Sequence, residues 1–393
     1  MKYNFDEYVE RRNMHSAKWS PEILEDNDVL PLWLADMDFR CPQPVIDSVV
    51  RMAAHGVYGY STRPEAYYSA IINWNRKRHG WHIERDWILF SPGVVPALSL
   101  LVQTFCAPGD KVIIQNPVYY PFYDIIRNNG CHPVMNPLRP EQGKYRMDLG
   151  SLEELAKDPK AKLLMLCSPH NPVGRVWTQD ELSELGKIAL GNNLLVVSDE
   201  IHSDLVFKGH KHIPFQTVSE DFAQHSIACT APSKTFNIPG LRVSSIIIPN
   251  EGLRQQTAQA FERVGAHVSN GLGIAAATAG YEEGEEWLEQ LLSYLEDNLD
   301  FLGTFIEKKM PEISLTRPEG TYLAWLDFRA IEQEGRKLDE FLRKEAKVVL
   351  DKGHVFGEGG EGFARLNFAC PRTTLAEALR RIQQAVKGIS LQT

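Results

Sequence analysis

Short runs of apolar residues alternate with helical patterns from about residue 88 to residue 250 of the chain. Continuous apolar runs of about four to eight residues are typical of strands that are buried on both faces. The clearest runs are KVIIQ (111–115), KLLMLC (162–167), LLVVSD (194–199) and SIACT (226–230). Because strands that alternate with helices form a mostly parallel sheet with helices on both faces, we predict an α/β fold.

The segment TQDELSELGKIALG, residues 178–191, has the clearest helical pattern. Thr178 and Glu181 have the spacing of a capping box, which begins a helix. One face of this segment is apolar and consists of Leu182, Leu185, Ile188 and Ala189. Gly191 stands where a C-terminal glycine commonly ends a helix. We predict a helix between these two signals.

After about residue 283 the sequence no longer alternates between short apolar runs and helical patterns. Leucines at helical spacing, from Leu288 to Ile306, predict one long amphipathic helix that Pro311 ends. A strand-like segment, TYLAWLDF (321–328), and helical patterns at 337–347 and 373–387 follow. These elements predict a smaller α+β domain.

The chain of 393 residues is long enough for two domains. We predict a large domain at residues 46–285 and a small C-terminal domain at residues 286–393. The first 45 residues lack the strand–helix alternation, and we expect this N-terminal segment to pack with the small domain.

The composition excludes several classes of function. A net charge of −9 argues against nucleic acid or an anionic membrane as the main partner, and leaves small anionic substrates open. No apolar run reaches the ~18 residues that span a bilayer, and the polar N-terminus lacks the apolar core of a secretory signal. The six cysteines have no metal-ligand spacing and predict reduced thiols. We expect a cytoplasmic protein without a metal.

The strand that ends near Phe90 continues into SPGVVP, residues 91–96. Ligands of open α/β sheets bind outside the carboxyl ends of the strands. Gly93 allows close approach of the backbone, and N–H groups at the start of the following helix suit a phosphate. A plain strand-to-helix turn is the alternative.

Three further strand ends carry side chains suited to chemistry. Asn171, in the turn SPHNPVG, either contacts a ligand or only satisfies backbone groups. Asp199 ends an apolar strand, where its burial requires a positive partner, either an arginine or a pyridinium N–H. Lys234 follows SIACT and either extends to solvent or, with a pKa lowered by its surroundings, forms a Schiff base.

These motifs occur together in one known superfamily. The set SPGVVP, NPVYYPF, CSPHNPVGRVW, SDEIHSDL and APSKTFNIPGLR resembles the class I/II aminotransferase-like enzymes of fold type I, which use pyridoxal 5′-phosphate (PLP). The resemblance extends from about residue 3 to residue 390. FDEYVERRNMHSAKW, PLWLADMDF, HGVYGY and SKTFNIPGL are most similar to the MalY/PatB group of cystathionine β-lyases. The implied fold is a large domain with a mostly parallel sheet flanked by helices, plus a smaller α+β domain.

The resemblance implies roles for the residues around the cofactor ring. Lys234 resembles the lysine that carries PLP as a Schiff base and later takes the Cα proton. Asp199 resembles the carboxylate that keeps the ring nitrogen protonated, and Asn171 the amide that binds the 3′ oxygen. Tyr119, with Tyr120 as the alternative, resembles the aromatic residue that stacks on the ring.

The resemblance also implies how the rest of the cofactor is bound. The backbone N–H groups of Val94 and Val95 and the hydroxyl of Ser233 would bind the phosphate. Arg242 stands where many relatives have a phosphate-binding arginine. His202 falls where the family has a second ring contact.

For the substrate, Arg365 resembles the arginine that clamps the α-carboxylate of an amino acid. Arg372 and Arg317 are the alternatives. Asp36 and Trp33 belong to the N-terminal segment that borders the substrate in relatives.

Tyr60 resembles the tyrosine that reaches the phosphate of the neighbouring subunit, which implies a homodimer with shared active sites. A core aromatic is its alternative role. The implied reaction is α,β-elimination from cystathionine or a cysteine S-conjugate, which yields a thiol, pyruvate and ammonia. An aminotransferase is the second hypothesis, because the same site serves both reactions. A regulatory protein that binds a transcription factor is the third.

Overall fold

A computed structural model gives the fold of the chain and describes residues 3–390. The strands in chain order are β1 (Leu30–Pro31), β2 (Ile88–Ser91), β3 (Lys111–Ile114), β4 (His132–Met135), β5 (Arg139–Glu141), β6 (Lys144–Arg146), β7 (Ala161–Cys167), β8 (Leu195–Asp199), β9 (Ser226–Thr230), β10 (Ser244–Ile247), β11 (Ser314–Thr316), β12 (Leu323–Asp327), β13 (Val348–Val349), β14 (Asp351–Lys352) and β15 (Phe363–Asn367).

The α-helices surround these strands. In chain order they are α1 (Pro21–Leu24), α2 (Gln43–Ala54), α3 (Glu65–His79), α4 (Val94–Phe105), α5 (Pro121–Asn128), α6 (Leu149–Ala156), α7 (Gln179–Gly191), α8 (Glu220–Gln224), α9 (Pro232–Thr235), α10 (Glu251–Arg263), α11 (Gly271–Glu283), α12 (Glu285–Lys309), α13 (Gly335–Lys344) and α14 (Arg372–Ser390).

The central sheet has seven strands in the order β2-β10-β9-β8-β7-β3-β4. The pairs β9–β8, β8–β7, β7–β3 and β3–β4 are parallel, and β10 is antiparallel to both of its neighbours. The prediction of a mostly parallel sheet is therefore confirmed, and each of the four apolar runs forms one of its strands. Cys167 and Cys229 lie beside Asp199 in the register of the sheet, so the carboxyl ends of β7, β8 and β9 meet at one edge.

Helices cover both faces of this sheet. Alternate residues of a strand point to opposite faces. In β7, Leu163 and Met165 pack in one apolar cluster with α4 and α5, whereas Leu164 and Leu166 pack in another with α6 and α7. This two-sided burial explains why the strands have continuous apolar sequences.

Helix α7 begins as predicted. The side chain of Thr178 accepts a hydrogen bond from the Glu181 N–H, and the Glu181 side chain accepts one from the Thr178 N–H, which completes a capping box. The helix ends at Gly191 as predicted, but this glycine is not the left-handed residue that commonly terminates a helix. Gly191 is the last helical residue, and the left-handed residue is Asn193, with φ of 57°. Asparagine tolerates this conformation, so no glycine is needed there.

The C-terminal part has its own antiparallel sheet, in the order β11-β12-β15-β14. The predicted long helix is α12, and its leucine stripe is buried against this part of the chain. The strand predicted at 321–328 is β12, and the helices predicted at 337–347 and 373–387 are α13 and α14. The N-terminal segment joins this region, because β1 pairs with β13 in parallel, Leu30 opposite Val348.

All six cysteines are free thiols. Across residues 3–390, no helix combines the length and the apolar character needed to cross a bilayer. Within the same range, no group of histidine, cysteine, aspartate or glutamate side chains is arranged to hold a metal ion.

Candidate active site

A cavity lies at the carboxyl ends of β7, β8 and β9, beside the start of α4. Its walls include eight residues predicted from the sequence, namely Val94, Val95, Tyr119, Asn171, Asp199, His202, Lys234 and Arg365. Residues from six separate segments therefore meet at the edge of the sheet where ligands bind in α/β folds. Leu34 and Ala35 of the N-terminal segment form another wall.

Lys234 lies on the short helix α9, which follows β9. Its Nζ donates a hydrogen bond to the backbone oxygen of Ala35. Burial lowers the pKa of Lys234 to about 8, the charge of Arg365 acts in the same direction, and the charges of Asp36 and Asp199 oppose the shift. A larger fraction of this amine is therefore neutral near pH 8 than for an ordinary lysine, as a nucleophile or a base requires.

Asp199 is the last residue of β8, and only 4% of its surface is exposed. Burial raises the pKa of this carboxyl to about 7, and the charge of Glu200 adds to the effect. The Ile201 N–H donates a hydrogen bond of 3.2 Å to Oδ1, and the charge of Lys234 also lowers the pKa. No arginine or lysine forms an ion pair with Asp199 within residues 3–390, so its alternative interpretation as an arginine partner is not supported. A buried carboxylate in this setting is suited to a cationic ring nitrogen.

Arg365 is 2% exposed and lies on β15. Its Nη1 donates to Oδ1 of Asn171 at 2.9 Å, and its Nη2 donates to the backbone oxygen of Trp33 at 3.0 Å. Nη2 also forms an ion pair with Asp351, and the guanidinium lies 4.9 Å from the ring centre of Phe356. Among the described residues, Nε has no hydrogen-bond partner, so at least one donor of this buried cation is free to bind a carboxylate.

Tyr119 and Asn171 are joined through their backbones. The Tyr119 N–H donates to the Asn171 carbonyl at 3.0 Å, which places the phenol ring and the amide side chain on the same cavity. Burial raises the pKa of Tyr119, so its hydroxyl stays protonated at neutral pH. Tyr120 also lines the cavity, with its ring centre 5.4 Å from that of Tyr119.

The first turn of α4 faces the cavity with Val94 and Val95. Gly93 precedes it and gives no side-chain cap, so the N–H groups at this end of the helix are available to an anion. The Arg242 side chain reaches this turn, because a Cβ built on Gly93 would lie 4.0 Å from its Nη1. Ser233 is buried on α9, next to Lys234, and neither Ser233 nor Arg242 lines the cavity.

His202 is 3% exposed and lines the cavity. Its Nδ1 has no hydrogen-bond partner in the part of the chain that the structure describes. Burial lowers the pKa of His202 well below its ordinary value, and the charges of Lys234 and Arg365 act in the same direction. The ring is therefore neutral and has an unsatisfied polar atom, which suits a ligand that supplies a hydrogen bond.

Several residues singled out in the sequence do not face the cavity. Asp36 pairs with Arg11 at 2.7 Å, and the Trp33 Nε1 donates to the Lys18 carbonyl at 3.3 Å. The side chain of Tyr60 is fully exposed on the single chain. The N-terminal segment thus reaches the cavity through Leu34 and Ala35 and not through the two predicted side chains.

The two alternatives to Arg365 lie elsewhere. Arg317 pairs with Asp300 on the surface, and Arg372 donates from Nε to Oδ1 of Asn298 at 2.6 Å. Neither residue lines the cavity. Of the three arginines, Arg365 is the one that lines the cavity.

The residues present fit PLP. Asp199 is a buried carboxylate without an ion-pair partner among the described residues, Lys234 is an amine with a lowered pKa, and His202 has a free Nδ1. The uncapped start of α4 and the guanidinium of Arg242 suit a phosphate. These features match the ring nitrogen, the aldehyde, a ring substituent and the phosphate of that cofactor.

Some residues of the site were not predicted. Asp351 holds Arg365, and Tyr322 donates a hydrogen bond of 2.9 Å to the same Ala35 oxygen as Lys234. Cys167 ends β7 and lines the cavity, and its place at a strand end was a usable signal. Asp351 and Tyr322 follow no such local signal.

The family model "Aminotransferase class I and II" matches residues 32–382. Over 385 residues the chain is 43% identical to cystathionine beta-lyase PatB of Bacillus subtilis (strain 168), with 98% of this chain and 100% of that protein covered. The structure of cystalysin from Treponema denticola, which contains PLP, has a TM-score of 0.96 at 39% identity, with 99% and 100% of the chains covered. A PLP-bound C-S lyase from Staphylococcus hominis has a TM-score of 0.92 at 34% identity, with 98% of each chain covered.

Proposed function

The chain belongs to the aminotransferase class I and II family, and from this premise we propose that it is a PLP-dependent C–S β-lyase. The observation that carries the proposal is that Lys234, Asp199 and Arg365 line one cavity. These side chains supply an amine, a buried carboxylate and a carboxylate-binding guanidinium. The choice of a lyase is supported by two of the similar proteins, a cystathionine beta-lyase and a C-S lyase, which this chain matches over nearly its whole length.

PLP, when bound, provides a protonated pyridine ring that accepts the electron pair released at the α-carbon of an amino acid. Lys234 would hold the cofactor covalently through Nζ, and Asp199 would keep the ring nitrogen protonated. Asn171 would bind the 3′ oxygen, and the ring of Tyr119 would stack on the cofactor. His202 would make a further contact through its free nitrogen.

The phosphate would lie at the start of α4. The N–H groups of Val94 and Val95 would donate to it, and Ser233 would add a hydroxyl. Arg242 would add a positive charge from the far side of Gly93. Charge-assisted bonds of this kind are short and strong.

The substrate would be an amino acid with sulfur at Cβ. Arg365 would bind its α-carboxylate, which orients the α-carbon toward the base. Lys234, once free of the cofactor, would take the Cα proton and the thiolate would leave from Cβ. With one water consumed, the products are a thiol, pyruvate and ammonia. Asp36 and Trp33 would act only by holding the segment that borders this substrate.

The assembly is proposed to be a homodimer in the cytoplasm, with Tyr60 reaching the partner's phosphate. Residues 51–60 are all exposed on the single chain, and they include the large apolar side chains of Met52, Val57 and Tyr58. Apolar groups exposed together are typical of an interaction surface. The division into a large domain at 46–285, a small domain at 286–393 and an N-terminal segment is proposed with it.

The reaction is tested with purified holoprotein and cystathionine, by measuring pyruvate with a coupled dehydrogenase. We expect pyruvate and a free thiol in equal amounts, and neither with Lys234→Ala. The exposed lysine variant Lys187→Ala is the matched control and should keep full activity. Efficient amino exchange with 2-oxo acids and no pyruvate would instead identify an aminotransferase.

A further inference from the structure

The backbone of residues 34–39 is held in place along the cavity by two asparagines. Asn367 Nδ2 donates to the Leu34 oxygen at 2.6 Å and to the Asp36 oxygen at 2.7 Å. Asn237 Nδ2 donates to the oxygens of Met37 at 3.0 Å and Phe39 at 2.8 Å, and its Oδ1 accepts from the Met37 N–H at 2.9 Å. Backbone groups that would otherwise be unpaired are thus bound on both sides of Ala35.

Ion pairs also hold the same segment, through the side chains of Asp36 and Asp38. Arg11 bonds to Asp36 at 2.7 Å and to Asp38 at 2.5 Å, and the fully buried Lys18 bonds to Asp38 at 2.6 Å. Two cations and two carboxylates satisfy one another here, which a buried cluster requires. The carbonyl of Ala35 therefore belongs to a rigid wall and not to a loose loop.

That carbonyl accepts two side-chain donors. Lys234 Nζ donates to it from the large sheet, and Tyr322 OH donates to it at 2.9 Å from just before β12. Tyr322 is 1% exposed, and burial raises the pKa of its phenol, so the hydroxyl remains a donor at working pH. A carbonyl oxygen has two lone pairs, so the two bonds do not compete.

The hydrogen bond from Lys234 to the Ala35 carbonyl affects the reactivity of the amine when Nζ is not bonded to the cofactor. A neutral amine has two N–H donors and one lone pair, so an N–H bonded to a fixed oxygen limits the rotation of Nζ. The lone pair is then left to accept a proton. A base that is held in one orientation loses less entropy in reaching the transition state than one that rotates freely.

We propose that the Ala35 carbonyl is the docking acceptor for the Lys234 amine when that amine is not bonded to PLP, and that Tyr322 is a positioning residue that fixes this acceptor. The inference rests on the proposed function, because it assigns the orientation of the base in that reaction. Tyr322 itself touches neither the substrate nor the cofactor in this assignment. Its loss should slow the proton transfer and leave substrate binding intact.

The experiment compares Tyr322→Phe with the wild-type holoenzyme. We expect kcat to fall roughly tenfold or more, as for one lost positioning hydrogen bond, with KM within about twofold. The isotope effect on kcat with α-deuterated substrate should rise, because proton removal becomes slower than the other steps. Borohydride reduction should still give the wild-type amount of phosphopyridoxyl adduct on Lys234, as measured by peptide mass spectrometry.

Tyr145→Phe is the matched control. Tyr145 is also buried, and its hydroxyl accepts from Trp325 Nε1 at 3.3 Å, away from the Ala35 carbonyl. This variant should lose comparable stability and keep the wild-type kcat and isotope effect. An equal loss of kcat in both variants, or a Tyr322→Phe enzyme with wild-type kcat and isotope effect, would overturn the proposal.

A crystal structure of the cofactor-free wild-type protein gives a readout without turnover. Nζ of Lys234 should lie about 3 Å from the Ala35 oxygen, with well-defined density. An Nζ that points elsewhere would refute the docking contact even if no Tyr322 variant folds. Absence of pyruvate from the wild-type enzyme would refute the proposed lyase reaction instead, and would leave this crystallographic result to be judged by itself.

Discussion

The side-chain oxygen of Asn171 accepts a hydrogen bond of 2.9 Å from Nη1 of Arg365. The first residue is proposed to bind the cofactor and the second to bind the substrate, so the two sites share a contact. A displacement of either side chain would therefore break this hydrogen bond. Loss of the amide should accordingly affect both binding events.

The variant Asn171→Ala removes this bond to a charged donor. Hydrogen bonds to charged groups contribute ~1.5–3 kcal/mol, so KM for cystathionine should rise roughly 10- to 100-fold. Steady-state kinetics at saturating PLP measure the effect. Asn136→Ala is the control, because Asn136 is buried and donates to the Asp148 oxygen at 2.9 Å, outside the cavity. An unchanged KM in Asn171→Ala would contradict the shared contact.

The variant Asp199→Asn keeps the shape of the side chain and removes its charge. The protonated ring of the cofactor would lose its partner, and breaking a buried pair costs about 3–5 kcal/mol. We expect kcat, measured in steady-state assays, to fall at least ~100-fold. Glu200→Gln is the control, since Glu200 is equally buried and bonds to His212 at 3.0 Å. Its kcat should stay within a few-fold of wild type. A large loss of kcat in Glu200→Gln together with a near-wild-type kcat in Asp199→Asn would refute the assignment.

The amine of Lys234 should titrate near pH 8 in the cofactor-free protein. Its pKa is lowered, so the neutral and reactive form grows as the pH rises through about 8, whereas an ordinary lysine requires about pH 10.4. Competitive acetylation at several pH values, read by peptide mass spectrometry, gives the midpoint. Because Arg365 contributes to the shift, Arg365→Gln should move the midpoint upward. A midpoint near 10 in the wild-type protein would show that the amine is not in this environment.

A mixture of two inactive variants should regain activity if the active sites are shared. Lys234→Ala supplies a normal Tyr60, and Tyr60→Ala supplies a normal Lys234, so a mixed dimer has one complete site. Random pairing after co-refolding predicts about one quarter of the wild-type activity. Sedimentation velocity checks that the mixture is dimeric. Dimers without any regained activity would place Tyr60 outside the partner's site.

The capping box of α7 is a test of stability alone. Thr178→Ala removes the side-chain bond to the Glu181 N–H and should lower the free energy of unfolding by about 1 kcal/mol. Urea unfolding followed by circular dichroism measures it. Thr178→Ser keeps the hydroxyl and should restore most of the loss. The kcat of both variants should match the wild type, because α7 does not line the cavity.

The sequence predicted those parts of the molecule that depend on local signals. Asp199 and Lys234 each follow an apolar run, and the carboxyl ends of neighbouring parallel strands must meet, so their closeness follows from the fold class. The capping box at Thr178 was likewise local. The family resemblance added Arg365, which lies on a separate sheet and which no strand-end argument reaches.

Contacts between distant segments were beyond local patterns. Tyr322 and the oxygen of Ala35 are 287 residues apart, and the partner of Arg365 on β14 is set by the packing of the C-terminal sheet. The side chains of Trp33 and Asp36 were expected beside the substrate, but their orientation depends on partners at Lys18 and Arg11. A pattern of residue types does not specify which of two adjacent side chains turns inward.

The hydrogen bond that Lys234 makes to position 35 involves a main-chain atom. A substitution at position 35 changes a side chain in the cavity wall but does not remove this oxygen, so a mutational scan of the site cannot delete the acceptor itself. The selective constraint falls instead on the residues that hold the peptide still, such as Asn367 and Tyr322. An engineer who wants to retune the base should therefore alter those supports and leave the alanine alone.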